Sequence, residues 1–166
     1  MRKLLLDTNI YGELVVDPHI SKFRDLLITS KGIVVFGSKI VRQELRATPK
    51  KIKIEGSNLR IDLLSLYDFL VKERTVDLNK EIESLAQSYY ATYRELGGSW
   101  GYKEMQNDLL IVATASIKQM DIVVSNDEAT MQSEQALRTY TLVNSIKQIK
   151  NPLFINYEEF KKLLKR

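Results

Sequence analysis

The sequence predicts an α/β protein, a three-layer α/β/α sandwich around a central, mainly parallel sheet of four to five strands. Three observations carry this. The apolar runs are short and unbroken, as in Leu4–Leu6, Ile33–Phe36 and Ile122–Val124, and strands buried on both faces read this way. Amphipathic helical patterns separate them, and such alternation marks parallel sheets joined by crossover helices. A length of 166 residues, 44% of them hydrophobic, suits one domain over 1–166 with its own core.

Lys3–Leu6 is the first strand and stops at Asp7. Helical patterns over 9–16 and 18–29 follow, broken at Asp17-Pro18 because the residue before a proline disfavours the helix. Gly32 and Gly37 bracket the β-branched run Ile33-Val34-Val35-Phe36, the second strand. Ser38 caps a helix running through Leu45. A helix over 58–72 puts Leu63, Leu66, Tyr67 and Leu70 on one face. A longer one over 78–96 does the same with Ile82, Leu85, Ala86, Tyr89 and Tyr93. Gly97-Gly98-Ser99-Trp100-Gly101 is a loop and not a phosphate-binding loop, since no Gly-Lys-Ser/Thr follows. Asn107-Asp108 opens an apolar helix from Leu109 to Lys118. Asp121–Val124 is the third strand, Thr139–Val143 the fourth and Leu153–Ile155 the fifth. Asn156 and Glu159 form a capping box on a last helix that carries Tyr157, Phe160 and Leu164 inward.

Composition removes several classes of chemistry. The absence of cysteine excludes a disulfide scaffold, Cys-ligated zinc or iron–sulfur sites, and thiol catalysis. A single histidine, His19, excludes His-rich zinc signatures and argues against a Ser/His/Asp triad. No apolar run approaches the roughly 18 residues of a membrane span, and Leu4–Leu6 is too short for a signal-peptide core. The expectation is a cytoplasmic protein with no membrane partner. The net charge of +4 is unevenly spread. Lys39, Arg42, Arg46, Lys50, Lys51, Lys53 and Arg60 form one basic stretch and residues 145–166 another, leaving the remainder net acidic. That division suits a polyanion held over a carboxylate site, or simply solvated helix faces.

The acids have an informative placement. In a parallel sheet, Asp7 and Asp127 each follow a strand and emerge at the same carboxyl edge. Asp108 opens a helix that can start at that edge, and Glu44 lies two turns into the helix after the second strand. Converging carboxylates raise one another's pKa, and a hard divalent cation relieves them. An all-oxygen donor set fits Mg²⁺ or Mn²⁺, which can activate water and stabilise a leaving oxygen. Read singly, Asp7, Asn107-Asp108 and Asn126-Asp127 also fit helix caps, and Glu44 an exposed helix carboxylate.

Leu4-Leu5-Leu6-Asp7-Thr8-Asn9 resembles the opening strand and first acid of PIN domains. Val41-x-x-Glu44-Leu45 resembles their second acidic position, and Asn107-Asp108 through Ala113-Thr114-Ala115 their third. Val123-Val124-Ser125-Asn126-Asp127 resembles the fourth, so the motifs run in family order from position 4 to 127. The resemblance implies a metal-dependent ribonuclease, with Asp7, Glu44, Asp108 and Asp127 as metal-binding acids. Thr8 and Asn126 are then supporting polar groups near the metal. Water activated by Mg²⁺ or Mn²⁺ would attack the phosphodiester of single-stranded RNA in line, leaving a 5′-phosphate and a 3′-hydroxyl. Lys39, Arg42 and Arg46, close to Glu44, would hold the RNA backbone. VapC-like members of the family are toxins that pair with an antitoxin protein and form homodimers. This sequence is longer than their compact form between Arg46 and Asn107. After Asp127 it reads Glu128-Ala129-Thr130-Met131 in place of their usual Arg/His-Phe continuation. A non-catalytic PIN-like scaffold for RNA or protein is the alternative. A phosphatase with Asp7 as nucleophile ranks lower, because haloacid-dehalogenase-like enzymes want an aspartate where Asn9 stands.

Overall fold

In a computed structural model, which describes residues 1–166, the chain runs β1 (Arg2–Leu6), α1 (Thr8–Val16), α2 (Ile20–Thr29), β2 (Ile33–Ser38), α3 (Lys39–Arg46), β3 (Lys53–Ile54), β4 (Ser57–Asn58), α4 (Leu59–Val71), β5 (Thr75–Val76), α5 (Lys80–Glu95), α6 (Tyr102–Ile117), β6 (Ile122–Val124), α7 (Glu134–Ile146), β7 (Leu153–Ile155) and α8 (Tyr157–Leu164). Five strands form one parallel sheet in the order β5-β2-β1-β6-β7. β1 is central, with Leu4 paired to Val35 on one side and to Ile122 on the other. Leu4, Leu5 and Leu6 have no exposed surface, as the unbroken apolar run requires of a strand covered on both faces. Helices α1, α2, α4 and α8 pack among themselves, α5, α6 and α7 form a second group, and the sheet lies between them. Because every pairing is parallel, the ends of β1, β2 and β6 leave the sheet at one edge.

Two sequence expectations are corrected. Thr139–Val143 is not a strand but the middle of α7. Its alternating Thr139, Thr141 and Val143 imitate a strand, yet the buried set is Ala136, Thr139, Tyr140, Val143 and Asn144. That is helical spacing, and it leaves Leu142 exposed. α6 begins at Tyr102 rather than at Asn107-Asp108, with Gly101 as its N-cap. Asp108 therefore sits inside the helix and is not a cap. The short edge strand β5 and the β3–β4 hairpin carry too few residues for periodicity to register. The capping box of Asn156 and Glu159 is present, and Tyr157, Phe160 and Leu164 are buried.

One close approach sets how α4 lies on the sheet. A Cβ at Gly37, near the end of β2, would meet the Tyr67 hydroxyl oxygen at 1.9 Å and Val71 Cγ1 at 2.8 Å. Tyr67 is fully buried, contacts the Ser38 carbonyl at 3.3 Å and the Thr75 hydroxyl at 2.8 Å, and so joins β2 to β5. Gly37→Ala is expected to destabilise the fold by about 2–3 kcal/mol through overpacking. Gly12, within α1, has nothing within 4 Å of its Cβ position. Gly12→Ala should stabilise by about 0.5–1 kcal/mol through helix propensity. Urea unfolding of the two variants checks both signs.

Candidate active site

Asp7 stands where β1 becomes α1. Its N–H still donates to the Val124 carbonyl at 2.9 Å, as a continuation of the sheet. Its extended backbone makes it the N-cap of α1, with its Oδ1 accepting the Thr8 N–H at 2.8 Å. Its Oδ2 accepts from the Ser125 hydroxyl at 2.7 Å and from Asn9 Nδ2 at 3.1 Å. The residue is only 5% exposed. Burial outweighs these hydrogen bonds and pushes the carboxyl up to about 6, with the charges of Glu44 and Asp127 acting the same way. The cap reading and the acid reading thus describe one residue.

Ser125 lies one residue beyond β6. Besides donating to Asp7, its hydroxyl oxygen accepts the Asp127 N–H at 3.0 Å. One side chain ties the end of β1 to the loop that carries Asp127. Glu44, inside α3, accepts the Thr8 hydroxyl at 2.8 Å. Asp108 enters from α6, and Thr130 contacts it: the Thr130 hydroxyl lies 2.7 Å from Asp108 Oδ2 and also touches Asp127 Oδ2. Burial pushes the Asp108 carboxyl up to about 7, and the charges of Asp7, Asp127 and Glu44 add to the rise. Thr130 opposes it.

The charges of Glu44 and Asp127 reach Asp7, and those of Asp7, Glu44 and Asp127 reach Asp108, so the structure gathers all four predicted acids at the carboxyl edge of the sheet. No three of them stand close enough together to ligate one ion at once. The donor set is oxygen only and includes no cysteine or histidine. Mg²⁺ is commonly held by one or two carboxylates with waters completing its shell, so these residues fit such an ion. Asn126 is placed differently. Its Oδ1 accepts the Tyr157 N–H at 2.9 Å and its Nδ2 contacts Glu13 Oε1 at 3.4 Å, so it bonds α8 and α1 and none of the four acids. Lys39, Arg42 and Arg46 line a surface depression with Gln43, Thr75 and Asp77. Arg42 is paired with Asp68 through two contacts of 3.2 Å, whereas Lys39 and Arg46 are exposed. Sequence reasoning did not single out Ser125, Asn9 or Thr130 as site residues. The spacings Ser-x-Asp and Asp-x-x-Thr around Asp127 are the local turn signals that would have raised two of them.

The PIN domain family model matches residues 4–134, a span that contains all four acids. The chain belongs to the PIN domain family. Its fold is similar to solved members of VapBC assemblies. One is VapBC2 from Rickettsia felis bound to a DNA fragment from its promoter, with TM-score 0.61, 19% identity, and 93% of this chain and 98% of that one covered. Another is VapBC-1 from nontypeable Haemophilus influenzae, with TM-score 0.61, 17% identity, and 94% and 98% covered. A third is DNA-bound VapBC from Salmonella typhimurium, with TM-score 0.56, 16% identity, and 95% and 99% covered. At these identities the likeness is one of fold. No curated protein matches the sequence.

The raised carboxyls of this PIN domain have a consequence for stability. A carboxyl whose folded pKa lies above its unfolded value of 3.8 favours the fold below that value and loses this contribution as pH rises. For Asp108 the loss runs from about pH 4 to about 7. In EDTA, Asp108→Asn should therefore be more stable than the unsubstituted protein by about 1–3 kcal/mol at pH 8. The gain should shrink toward pH 4. Denaturant unfolding at both pH values decides it, and a variant less stable at pH 8 would contradict the electrostatic assignment.

Proposed function

We propose that this PIN-domain chain is a divalent-metal-dependent endoribonuclease that cleaves single-stranded RNA, and that it is the toxin of a type II toxin–antitoxin pair. The observation that carries the reading is the convergence of Asp7, Glu44, Asp108 and Asp127, drawn from four distant segments, on one edge of the sheet. These acids would hold Mg²⁺ or Mn²⁺. Bound there, the ion supplies an activated water and offsets charge on the leaving oxygen.

The remaining roles belong to the chain itself. Thr8 holds Glu44 in place, and Ser125 holds Asp7. Asn126 supports the Asp127 loop by fixing it to α8 and α1. Lys39, Arg42 and Arg46 would hold the RNA backbone, with Arg42 steadied by Asp68. A single domain over 1–166 is part of this reading, and β7, which lies beyond the matched span yet pairs with β6 in the same sheet, supports it. The likeness to VapBC assemblies supports an antitoxin partner, and a homodimer belongs to the same proposal through the family resemblance. No helix is long and apolar enough to cross a membrane, and a cytoplasmic setting is the natural one for this chemistry.

The test is cleavage of unstructured single-stranded RNA in Mn²⁺, Mg²⁺ or EDTA. The unsubstituted protein should cut only with metal, and Asp7→Asn and Asp108→Asn should each lose at least about 100-fold in rate. Retained RNA binding without cleavage would favour the non-catalytic scaffold instead. A Lys39→Ala/Arg46→Ala double variant should lower the slope of log affinity against log salt by about 1–1.5, as for two lost phosphate contacts on a single strand. An unchanged slope would remove these residues from the RNA path.

A further inference from the structure

Thr130 lies three residues after Asp127, in the loop that leads into α7. Here a hydroxyl stands between two acids. It is the only side-chain hydrogen-bond donor to either Asp108 or Asp127. The remaining bonds to Asp127 come from the Ala129 and Thr130 N–H groups, at 3.1 and 2.9 Å, both on Oδ1. The Asp108 carboxylate accepts no other hydrogen bond from the chain. Thr130 is itself fixed, because its carbonyl accepts the Ser133 hydroxyl at 3.0 Å at the start of α7.

A threonine hydroxyl carries one proton and can donate to only one acceptor at a time. The two carboxylate oxygens it touches therefore lie close together with one donor between them. Within the reach of both charges is Tyr140, fully buried and with no hydrogen-bond partner for its hydroxyl. Its phenol is raised first by burial and then by the charge of Asp108. The chain thus gathers the pair without placing a lysine or arginine against it.

We propose that Thr130 is a positioning residue that holds Asp108 and Asp127 side by side for one divalent cation. The inference rests on the metal-dependent reading above. It assigns no chemical step to Thr130. It predicts that metal affinity depends on this hydroxyl, because groups that orient metal-ligating side chains typically account for 10–100-fold in affinity.

The experiment is calorimetric titration of Mn²⁺ into EDTA-cleared protein, without RNA, for the unsubstituted chain, Thr130→Val and Thr130→Ser. Thr130→Val keeps the shape and removes the hydroxyl, and should weaken Mn²⁺ binding about tenfold. Thr130→Ser keeps the hydroxyl and should stay within about twofold. Thermal unfolding of each variant separates folding from binding. Thr130→Val binding as tightly as the unsubstituted protein overturns the inference, and so does a lowered melting temperature with unchanged affinity. Thr130→Ser as impaired as Thr130→Val overturns it too, and so does absence of Mn²⁺ binding by the unsubstituted chain. Metal binding without RNA cleavage would overturn the ribonuclease reading alone, and the three Mn²⁺ affinities would still decide the role of Thr130.

Discussion

The hydrogen bond from Ser125 to Asp7 is the contact on which the site depends. A parallel sheet delivers the ends of β1 and β6 to the same edge, but it does not fix what lies beyond them. The Ser125 hydroxyl does so by donating to Asp7 at 2.7 Å while accepting the Asp127 N–H at 3.0 Å. Asn9 adds a second tie, donating to Asp7 and accepting the Asn126 N–H at 3.1 Å. Two acids 120 positions apart are held in register by short polar side chains, because the strands beneath them are already paired residue for residue.

That arrangement works against stability. Asp7 is almost wholly buried, and its carboxyl is raised despite three donors. Asp108 is raised further, with three other carboxylates acting on it. The fold tolerates this because the strands and helices that present the acids are bound into a continuous core of 41 buried residues. Leu4, Leu5, Val123 and Val124, next to the site, are fully buried. Burial of that apolar surface offsets the electrostatic cost, and the unfavourable acids are confined to one edge. Structures keep such local conflicts mainly where function requires them.

Much of this was legible in the sequence, for physical reasons. β1, β2 and β6 announced themselves because strands covered on both faces leave an unbroken apolar run. The gathering of Asp7, Glu44, Asp108 and Asp127 was legible because parallel strands have only one carboxyl edge to deliver them to, and because their motifs resemble those of a family. What escaped depended on long-range packing. Thr139–Val143 has strand-like alternation, and only the burial of Tyr140 against Tyr89 and Phe154 makes it helical. The start of α6 at Tyr102 was hidden because its first three residues are exposed and, before Leu109, only Met105 of the helix is buried. Thr130 escaped because its importance arises from Asp108, 22 positions earlier and on another element.

The side chains that hold the acids are neutral hydroxyls rather than cations. Asp7 is held by Ser125, Glu44 by Thr8, and Asp108 with Asp127 by Thr130. A hydroxyl orients a carboxylate without cancelling its charge. A lysine or arginine in the same place would form an ion pair and compete with any incoming cation. The basic residues are kept off the acids by the helix that carries Glu44. Along α3, Lys39, Arg42, Gln43 and Arg46 share one face at helical spacing, while Ile40, Val41 and Leu45 are buried on the other side. Glu44 projects beside the buried set and reaches Thr8, and Arg42 is further restrained by Asp68. An eight-residue helix thus supplies one acid to the site from one side and carries a basic stripe on the other, so that no cation of α3 is placed against the acids.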